Sequence, residues 1–448
     1  MTHTFDPGAR AVNETLGLPR WGYCGHPRNA GLESTIYLQR TLARGKRLLP
    51  VSQAWPLQPT AITGAVVTNF LWGLLPDNER TLDAWARRFQ VSARNPVALL
   101  SYVGEDCAGA VQFVREDRLD EVLSATDKTL RVEWLEEAQL ERRIQHLARD
   151  TSAARESATE GQFSLSGAQA KTALYFDSRR RRWGVPQGRT PTTHILKPAT
   201  NEFDAFDLNE HFCLTLASRV GLAAADTECR AIGGVRTLIA ERYDRIRRDG
   251  RWQRIHQEDC CQALGIHPGS KYENQGGPGF ATIMTLLEGT DEPEADRERL
   301  MRTACLAYLI AATDAHAKNF SLLYSRGRER YSMRLAPLYD IASAWPYPKQ
   351  IPVQKMKLAM RIGRHYRLRE IQPRYFAELA RSCRYPVDPL LATLGNLAAR
   401  LPDEASAIVA ELRQAEIADE MLERLLDGLA SHCENVTHRL KGSAQHDL

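Results

Sequence analysis

The chain has 448 residues, which is enough for two or three domains and a sizeable core. Its 43% hydrophobic and 25% charged residues are typical of an ordinary soluble globular protein, and no apolar run is long enough to cross a bilayer. The net charge of +4 permits an acidic partner or nucleic acid but favours neither. The first residues lack the basic-then-apolar pattern of a secretory signal, so we expect no membrane association.

The nine cysteines are scattered and form no CxxC pair. The adjacent Cys260 and Cys261 suit neither an ordinary disulfide nor a zinc site. An odd number of cysteines without a framework predicts reduced thiols and therefore a cytoplasmic protein.

The first part of the chain is the least informative. Residues 1–60 show no persistent hydrophobic period. After them the apolar spacing becomes regular, and the composition changes again where Ser, Thr and Glu become frequent, which is typical of a linker. The predicted elements are a strand at 34–38, helices at 66–76, 81–89 and 96–103, a strand at 108–114, a polar helix at 133–148 and a linker at 150–160.

The middle of the chain alternates strands with one helix, and this strand–strand–helix–strand–strand order is the plan of a kinase small lobe. Gly221 is a suitable helix C-cap, and a Gly-Gly pair favours a tight hairpin turn. The predicted elements are two short strands around a turn within 163–176, a hairpin tip at 179–182, a strand at 193–197, a helix at 209–220 and a hairpin at 231–243.

From residue 257 the spacing of apolar residues is mostly helical. The sequence therefore predicts an α+β fold with a mixed β/α N-terminal part and an all-helical C-terminal lobe, and the family resemblance given below implies that this fold is two-lobed and protein-kinase-like. The expected domains are 1–150, 151–250 with a phosphate loop, and 251–448 with a catalytic loop. The last domain is predicted to contain helices at 278–287, 297–313, 375–382, 387–401 and 403–432, and a hairpin at 320–338.

One short stretch, Asp314-Ala-His-Ala-Lys-Asn-Phe-Ser321, carries the clearest chemical signal. Phosphoryl transfer needs a base beside the attacking hydroxyl and metal ligands beside the phosphates, and one loop can present both. The spacing of Asp314 and Asn319 is that of the kinase catalytic loop. Asp340, after the predicted hairpin, stands where kinases have a second metal carboxylate. Taken alone, Asp314 would more often be a helix cap or a solvated loop residue, but the combination favours the catalytic interpretation.

Two residues inside this loop have open roles. His316 could contact the γ-phosphate or pack as a loop-fixing histidine. Lys318 could neutralise the transferring phosphate or face solvent.

A second group of residues is suited to holding a nucleotide. The small-residue turn 166–172 could cover phosphates, although taken alone it is more typical of an ordinary hairpin, and Ala170 before Lys171 excludes a Walker A loop. Lys197 ends an apolar strand, and Glu210 near a helix start could complete the Lys–Glu pair of kinases; the alternative is a surface ion pair. Residues Glu241, Arg242 and Tyr243 fall where a kinase hinge would meet adenine.

A basic cluster is a candidate anion or nucleic-acid patch, but it is more typical of a solvated hairpin tip. It consists of Arg245, Arg247, Arg248, Arg251 and Arg254.

Taken together, these residues resemble the HipA family of bacterial serine/threonine-kinase toxins. The matching stretches begin at about residue 63 and include 164–174, 190–197, 241–245, 257–260, 271–273, 276–279, 312–321 and 339–341. The resemblance implies ATP and Mg²⁺ as cofactors, Asp314 as the base, Asn319 and Asp340 as metal ligands, and Lys197 as the nucleotide lysine. It also implies a phosphate loop formed by Leu165, Ser166, Gly167, Ala168, Gln169, Ala170 and Lys171.

The resemblance further implies regulation and partners. Family members phosphorylate themselves on a loop serine that matches Ser164, with Ser166 nearby, and this expels the loop and silences the enzyme. They are toxins held by a HipB-like helix-turn-helix antitoxin, which makes the main DNA contact, and glutamyl-tRNA synthetase is a family target. Two alternatives stay open: a DNA-bound co-repressor with little kinase activity, and a small-molecule or lipid kinase with the same catalytic loop. The first sixty residues show no clear match to the family.

Overall fold

The structure is a computed structural model that describes residues 50–55, 62–115, 117–118, 131–149, 163–167, 169–200, 203–248, 250–326, 331–417 and 419–444, together with three strands nearer the N-terminus. The strands within these residues are β1 (Arg10–Val12), β2 (Arg20–Cys24), β3 (Thr35–Gln39), β4 (Ile62–Thr63), β5 (Gln112–Val114), β6 (Val132–Trp134), β7 (Thr172–Asp177), β8 (Arg182–Pro186), β9 (His194–Pro198), β10 (Thr227–Ile232), β11 (Val235–Glu241), β12 (Arg245–Arg248), β13 (Arg251–Arg254), β14 (His256–Asp259), β15 (Ser321–Arg326), β16 (Tyr331–Leu335), β17 (Lys357–Ile362) and β18 (His365–Arg367).

The helices of the same residues are mostly in the second half. They are α1 (Ala65–Gly73), α2 (Glu79–Phe89), α3 (Pro96–Val103), α4 (Glu137–Arg149), α5 (Phe206–Arg219), α6 (Cys260–Ala263), α7 (Phe280–Leu287), α8 (Pro293–Leu309), α9 (Pro373–Ser382), α10 (Val387–Gln414) and α11 (Glu420–Ala444).

The chain forms two compact units, and the first comprises Met1–Pro198, Ala231–Gly269 and Ser321–Met333. In its main sheet, neighbouring strands follow the order β11-β9-β7-β8-β6. The β10–β11 turn contains Gly233 and Gly234 with φ of 57° and 78°, a left-handed pair that suits the tight hairpin turn expected from the sequence. Helix α4 buries Leu140 and Ile144 in the same apolar cluster as Leu174 of β7.

The first unit also contains the α1–α3 helices, which bury their own core around Phe70, Leu71 and Leu100. Their starts are fixed by side chains: Asn78 accepts from two backbone N–H groups of α2, and Asn95 accepts from one of α3. These caps satisfy N–H groups that have no partner within the helix.

The second unit comprises Ala199–Arg230, Ser270–Phe320 and Arg334–Leu448 and is predominantly helical. Helix α10 runs continuously through Pro402 to Gln414, so the predicted break between two helices at this proline is wrong. Proline removes one intrahelical hydrogen bond, but Leu401, Ala405 and Ile408 continue one buried face across it. The tertiary contacts of this face outweigh the local cost, and α11 begins only at Glu420.

Two other boundaries differ from the expectation. The predicted helix at 133–148 begins only at Glu137, because Val132–Trp134 pairs with β8 as an edge strand. The helix predicted at 297–313 is α8, which starts earlier, with Pro293 in its first turn, and ends at Leu309. The predicted strand near 34–38 is confirmed as β3, and the predicted linker 150–160 lies outside the described residues.

Eight cysteines, at positions 107, 213, 229, 260, 261, 305, 383 and 433, are buried free thiols. Within the described part of the chain, no helix combines the length and apolarity needed to cross a membrane.

Candidate active site

The loop after helix α8 brings three predicted site residues together within the second unit. A short 3₁₀ turn, Ala317–Asn319, places the Asn319 side chain where its amide donates to two backbone carbonyls. One is the carbonyl of Asp314 at 3.3 Å, and the other is the carbonyl of Asp340 at 2.6 Å. A single side chain therefore joins the catalytic-loop aspartate to the later aspartate.

Asp340 has φ of 55°, a left-handed conformation that few non-glycine residues adopt. The chain on both sides of it is anchored to other segments of the same unit. The backbone of Leu338 bonds to Ala223 and Ala225, each at 2.8 Å. The Asn209 side chain accepts from the N–H of Ser343 at 2.9 Å and donates to its carbonyl at 2.8 Å. These contacts hold Asp340 in a conformation that it would not adopt in isolation.

The donor set fits a magnesium ion. The amide nitrogen of Asn319 donates to two carbonyls, which fixes the orientation of the amide group. Its Oδ1 therefore points away from both carbonyls. An amide oxygen and the Asp340 carboxylate are the hard oxygen ligands that Mg²⁺ accepts. Within the described ranges, no group of three or more His, Cys, Asp or Glu side chains could hold a metal ion by itself. Mg²⁺ typically takes its remaining ligands from water and substrate phosphates.

His316 and Lys318 are both buried, with 5% of each residue exposed. Burial lowers the pKa of His316 to about 4, so the imidazole is neutral at physiological pH. Its Nδ1 has no hydrogen-bond partner among the residues that the structure describes, and its ring packs edge-on against Tyr272 at 5.2 Å between centroids. Both roles considered for His316 remain predictions, whereas the interpretation of Lys318 as a solvent-facing residue is wrong.

The predicted phosphate loop lies in the first unit and is not half of a hairpin. Phe163 and Gly167 form isolated parallel bridges to Asp106 and Pro76, so the predicted strand at the start of 163–176 is wrong. Backbone bonds join Ser164 to Asp106 at 3.0 Å and Asp77 to Gly167 at 3.2 Å. These contacts with residues far away in the sequence replace the expected pairing of this segment with β7.

The side chains of this loop are partly enclosed. Ser164 is fully buried, and its hydroxyl donates to the carbonyl of Leu74 at 2.8 Å. The Lys171 ammonium donates to the carbonyl of Ser166 at 2.5 Å, closing the loop on itself. Of the other predicted loop residues, Leu165 and Ala170 are buried, Ser166, Gly167 and Gln169 are half-buried, and Ala168 lies outside the described residues.

The remaining predicted nucleotide residues are divided between the units. Lys197 is buried in β9 opposite Leu238, and Glu241 and Tyr243 also belong to the first unit. Glu210 is buried on α5 of the second unit. The Lys197–Glu210 ion pair therefore stays a prediction.

Arg242 has a structural side chain, because its guanidinium bonds to Asp106, Asp244 and Thr192. Its backbone N–H donates to the carbonyl of Thr193, the residue before β9, at 2.9 Å. A contact of this residue with adenine would have to come from the backbone, as the hinge prediction requires.

The predicted basic patch is wrong for two of its five members. Arg245 and Arg254 face each other across β12 and β13 and are buried, each 2.9 Å from Asp106. The other three members, Arg247, Arg248 and Arg251, lie nearer the turn of this hairpin and are exposed.

Sequence reasoning missed the roles of Tyr272, Asn209 and Tyr339. The Tyr272 hydroxyl donates to Asp314 Oδ1 at 2.5 Å, and the Tyr339 hydroxyl donates to the backbone of Lys318 at 2.6 Å. For Asn209 a signal existed, since an asparagine within a buried helical stretch must find partners. The two tyrosines stand in stretches that match the family, 271–273 and 339–341, but only the folded chain shows what their hydroxyls bond to.

Two protein families match the chain. The HipA-like C-terminal domain matches residues 163–419, and the HipA N-terminal domain matches residues 33–114. The second match starts well before residue 63, so the expectation that the first sixty residues lack a family match is wrong for 33–60.

Individual relatives cover most of the chain. Y4mE of Sinorhizobium fredii (strain NBRC 101917 / NGR234), whose name places it among the kinases, is 32% identical over 87% of this chain and 90% of its own length. The serine/threonine-protein kinase toxin HipA of Shewanella oneidensis is 27% identical over 80% of this chain and 81% of its own length. A solved HipA chain from a Shewanella oneidensis MR-1 complex of HipA, HipB and operator DNA matches with a TM-score of 0.79, 23% identity and coverage of 97% and 98%. This last likeness confirms the kinase-like fold.

Proposed function

The chain belongs to the HipA family of serine/threonine-kinase toxins, and from that membership we propose that it transfers phosphate from ATP to serine or threonine hydroxyls of a protein and thereby arrests growth. The observation that carries the proposal is the double hydrogen bond of Asn319 to the backbones of Asp314 and Asp340. It holds together the three residues that we propose as the base and the metal ligands, which phosphoryl transfer requires close to one another.

Each residue has a distinct part in the reaction. The Asp314 carboxylate, whose side chain is 70% exposed, accepts the proton of the attacking hydroxyl. Asn319 and Asp340 would hold Mg²⁺, which when bound neutralises charge on the phosphates. The buried Lys318 ammonium adds positive charge beside the loop, and the neutral His316 can donate or accept a hydrogen bond. Lys197 and the loop from Leu165 to Lys171 would hold the nucleotide phosphates.

Self-phosphorylation on Ser164 would switch the enzyme off. The Ser164 hydroxyl is fully buried and bonded to Leu74, which leaves no room for a phosphate. A phosphate would bring nearly two negative charges into this enclosed position. The segment would then have to leave its bridges to Asp106 and Pro76, and the phosphate loop would be lost.

The partners follow the family. A HipB-like helix-turn-helix antitoxin would neutralise the kinase and make the main contact with DNA. The target would be a translation factor such as glutamyl-tRNA synthetase, in the cytoplasm, with no membrane involvement. We also retain the division into an N-terminal subdomain (1–150), a small lobe (151–250) and a catalytic lobe (251–448).

The test is phosphate transfer from γ-labelled ATP by the purified chain, with Asp314→Gln beside it. Label is expected on the native chain or on a protein of a cell extract, and it should be lost in the variant. Asp388→Gln, which changes an exposed aspartate near the start of α10, is the matched control and should leave labelling intact. No label from the native chain would favour a co-repressor, and ATP turnover without labelled protein would favour a small-molecule kinase.

A further inference from the structure

A tyrosine that the proposed mechanism does not use lies directly on the base. The Tyr272 hydroxyl donates to Asp314 Oδ1 at 2.5 Å. The Tyr272 ring also meets the His316 ring edge-on, with 5.2 Å between the centroids. Next to Tyr272 in the chain, the backbone carbonyl of Lys271 accepts a hydrogen bond from the N–H of Ala317 at 3.3 Å. The segment 271–273 is therefore attached to the catalytic loop by side chain, ring and backbone.

The same segment is fixed independently of the loop. The Glu273 carboxylate accepts from the backbone N–H of Arg361 in β17 at 2.7 Å and pairs with its Nε at 3.0 Å. A Cβ atom at Gly279 would lie only 2.2 Å from this carboxylate, so glycine leaves the room that Glu273 needs. The backbone carbonyl of Tyr272 accepts from Gln275 and Gly277 at 3.0 and 2.9 Å. Contacts other than the one with Asp314 therefore fix the segment that carries the Tyr272 hydroxyl.

The contact with Tyr272 gives the two oxygens of the Asp314 carboxylate different surroundings. Oδ1 is occupied by Tyr272, and the nearest nitrogen of His316 lies 4.0 Å from it. Oδ2 makes no hydrogen bond within the described part of the chain, and the Asp314 side chain is 70% exposed. A carboxylate fixed through one oxygen presents the other in a constant direction, and such positioning is a large part of the rate enhancement in transfer reactions.

We propose that Tyr272 is a positioning residue that holds Asp314 through Oδ1, so that Oδ2 alone receives the proton of the acceptor hydroxyl. This inference rests on the proposed kinase function. In the step it serves, the acceptor oxygen bonds to the γ-phosphorus and the bond from that phosphorus to the ADP oxygen breaks. The acceptor proton passes to Oδ2, while Tyr272 keeps its own proton throughout.

The test compares native chain, Tyr272→Phe, Asp314→Asn and the double variant by single-turnover self-labelling with γ-labelled ATP. Tyr272→Phe should lower the limiting rate by about 10- to 100-fold, because a small misplacement of a reacting group is expected to have an effect of this size. The ATP concentration for half-maximal rate should change less than about twofold, since the hydroxyl that is removed bonds to the proposed base. In the Asp314→Asn background the same substitution should have no further effect, because the interaction it removes has already lost its partner.

The control is Tyr308→Phe, which removes a tyrosine hydroxyl that donates to a backbone carbonyl, that of Ile371 at 3.2 Å, and not to a carboxylate. It should leave the limiting rate unchanged. A native limiting rate in Tyr272→Phe, a higher one, or an equal loss in the Asp314→Asn background would overturn the role of Tyr272 alone. Absence of labelling by the native chain would overturn this role together with the kinase proposal.

Discussion

The side-chain amide of Asn319 donates a hydrogen bond to the backbone carbonyl of Asp340 at 2.6 Å, across 21 residues of sequence. The same amide donates to the carbonyl of Asp314 at 3.3 Å. One side chain therefore bridges the catalytic loop and the later aspartate, and its remaining oxygen is the candidate metal ligand. Structure and chemistry are coupled at this residue.

Replacing Asn319 by alanine should reduce phosphate transfer by about 100-fold or more, because it removes a metal ligand and also releases both aspartates from their shared partner. The measurement is the initial rate of labelling from γ-labelled ATP over a range of Mg²⁺ concentrations, and more Mg²⁺ should be needed for half-maximal rate. Asn435→Ala is the control, since it removes a similar amide bond to the carbonyl of Ser431 at 2.8 Å on an exposed part of α11. An Asn319→Ala enzyme within twofold of native would contradict the assignment.

Substitution of Ser164 by alanine should abolish self-modification, because it removes the acceptor hydroxyl. The change also deletes the buried bond to Leu74, with an expected loss of about 1 kcal/mol of stability. Intact-mass spectrometry after incubation with ATP and Mg²⁺ should show one phosphate on the native chain and none on the variant. Ser166→Ala, two residues away in the half-buried part of the loop, is the control and should still gain a phosphate. Unchanged incorporation in Ser164→Ala would disprove the assignment.

The sequence was informative where chemistry needs residues close together along the chain. Asp314, His316 and Asn319 stand in one short loop, so their spacing alone predicts that they are neighbours, and the Gly233-Gly234 turn follows from local backbone preferences. Asp340 was inferred only through its place after a hairpin. The hydrogen bond from Asn319 confirms that these residues lie together, although their roles remain to be tested.

What the sequence could not provide depends on contacts between distant segments. Arg245 and Arg254 have the same composition signal as their exposed neighbours, and only the position of Asp106 decides that they are buried. The continuation of α10 through Pro402 depends on packing along a buried face that no local rule for proline includes. The contact of Tyr272 with Asp314 joins residues 42 positions apart, and no periodicity or motif indicates it.

Asp106 is the centre of a buried ion cluster in the first unit, with Arg242, Arg245 and Arg254 within 3.3 Å of its carboxylate. Asp106→Asn should lower the free energy of unfolding by about 3–5 kcal/mol, because removing one partner of a buried pair leaves uncompensated charge. Urea unfolding followed by tryptophan fluorescence measures this change. The control is Asp117→Asn, whose carboxylate is 59% exposed and pairs with Arg115, and its effect should stay below about 1 kcal/mol.

The same cluster sets a pH dependence. Burial alone would raise the pKa of Asp106, but the arginines and a hydrogen bond from Thr192 hold it well below its ordinary value. A carboxyl with a lowered pKa in the folded state stabilises the fold above its unfolded pKa near 3.8, and that stability is lost as the pH falls below it. The difference between native chain and Asp106→Asn should therefore be constant from pH 6 to 8 and shrink below about pH 4. A constant difference down to pH 2 would contradict this.

Glu258 should show the opposite behaviour. It accepts hydrogen bonds from the N–H of Gln53 at 2.8 Å and from the Tyr324 hydroxyl, but burial is the larger influence and raises its pKa from 4.5 to about 7. Between these values the folded chain binds more protons at this site than the unfolded chain, so Glu258 lowers the free energy of unfolding as the pH rises.

Glu258→Gln removes this titration while keeping an oxygen acceptor for both donors. Relative to the native chain, the variant should gain stability between pH 4.5 and 7, by at most roughly 3 kcal/mol at about 1.4 kcal/mol per unit. If the new amide also lowers the free energy of unfolding by a constant amount, that amount is the same at every pH. The test is therefore how the difference in free energy of unfolding between variant and native chain changes with pH. Urea unfolding at pH 5, 6, 7 and 8 measures it, and Glu228→Gln, at a carboxylate that is 61% exposed, is the control. A pH-independent difference for Glu258→Gln would mean that this carboxyl does not take up a proton within the folded chain.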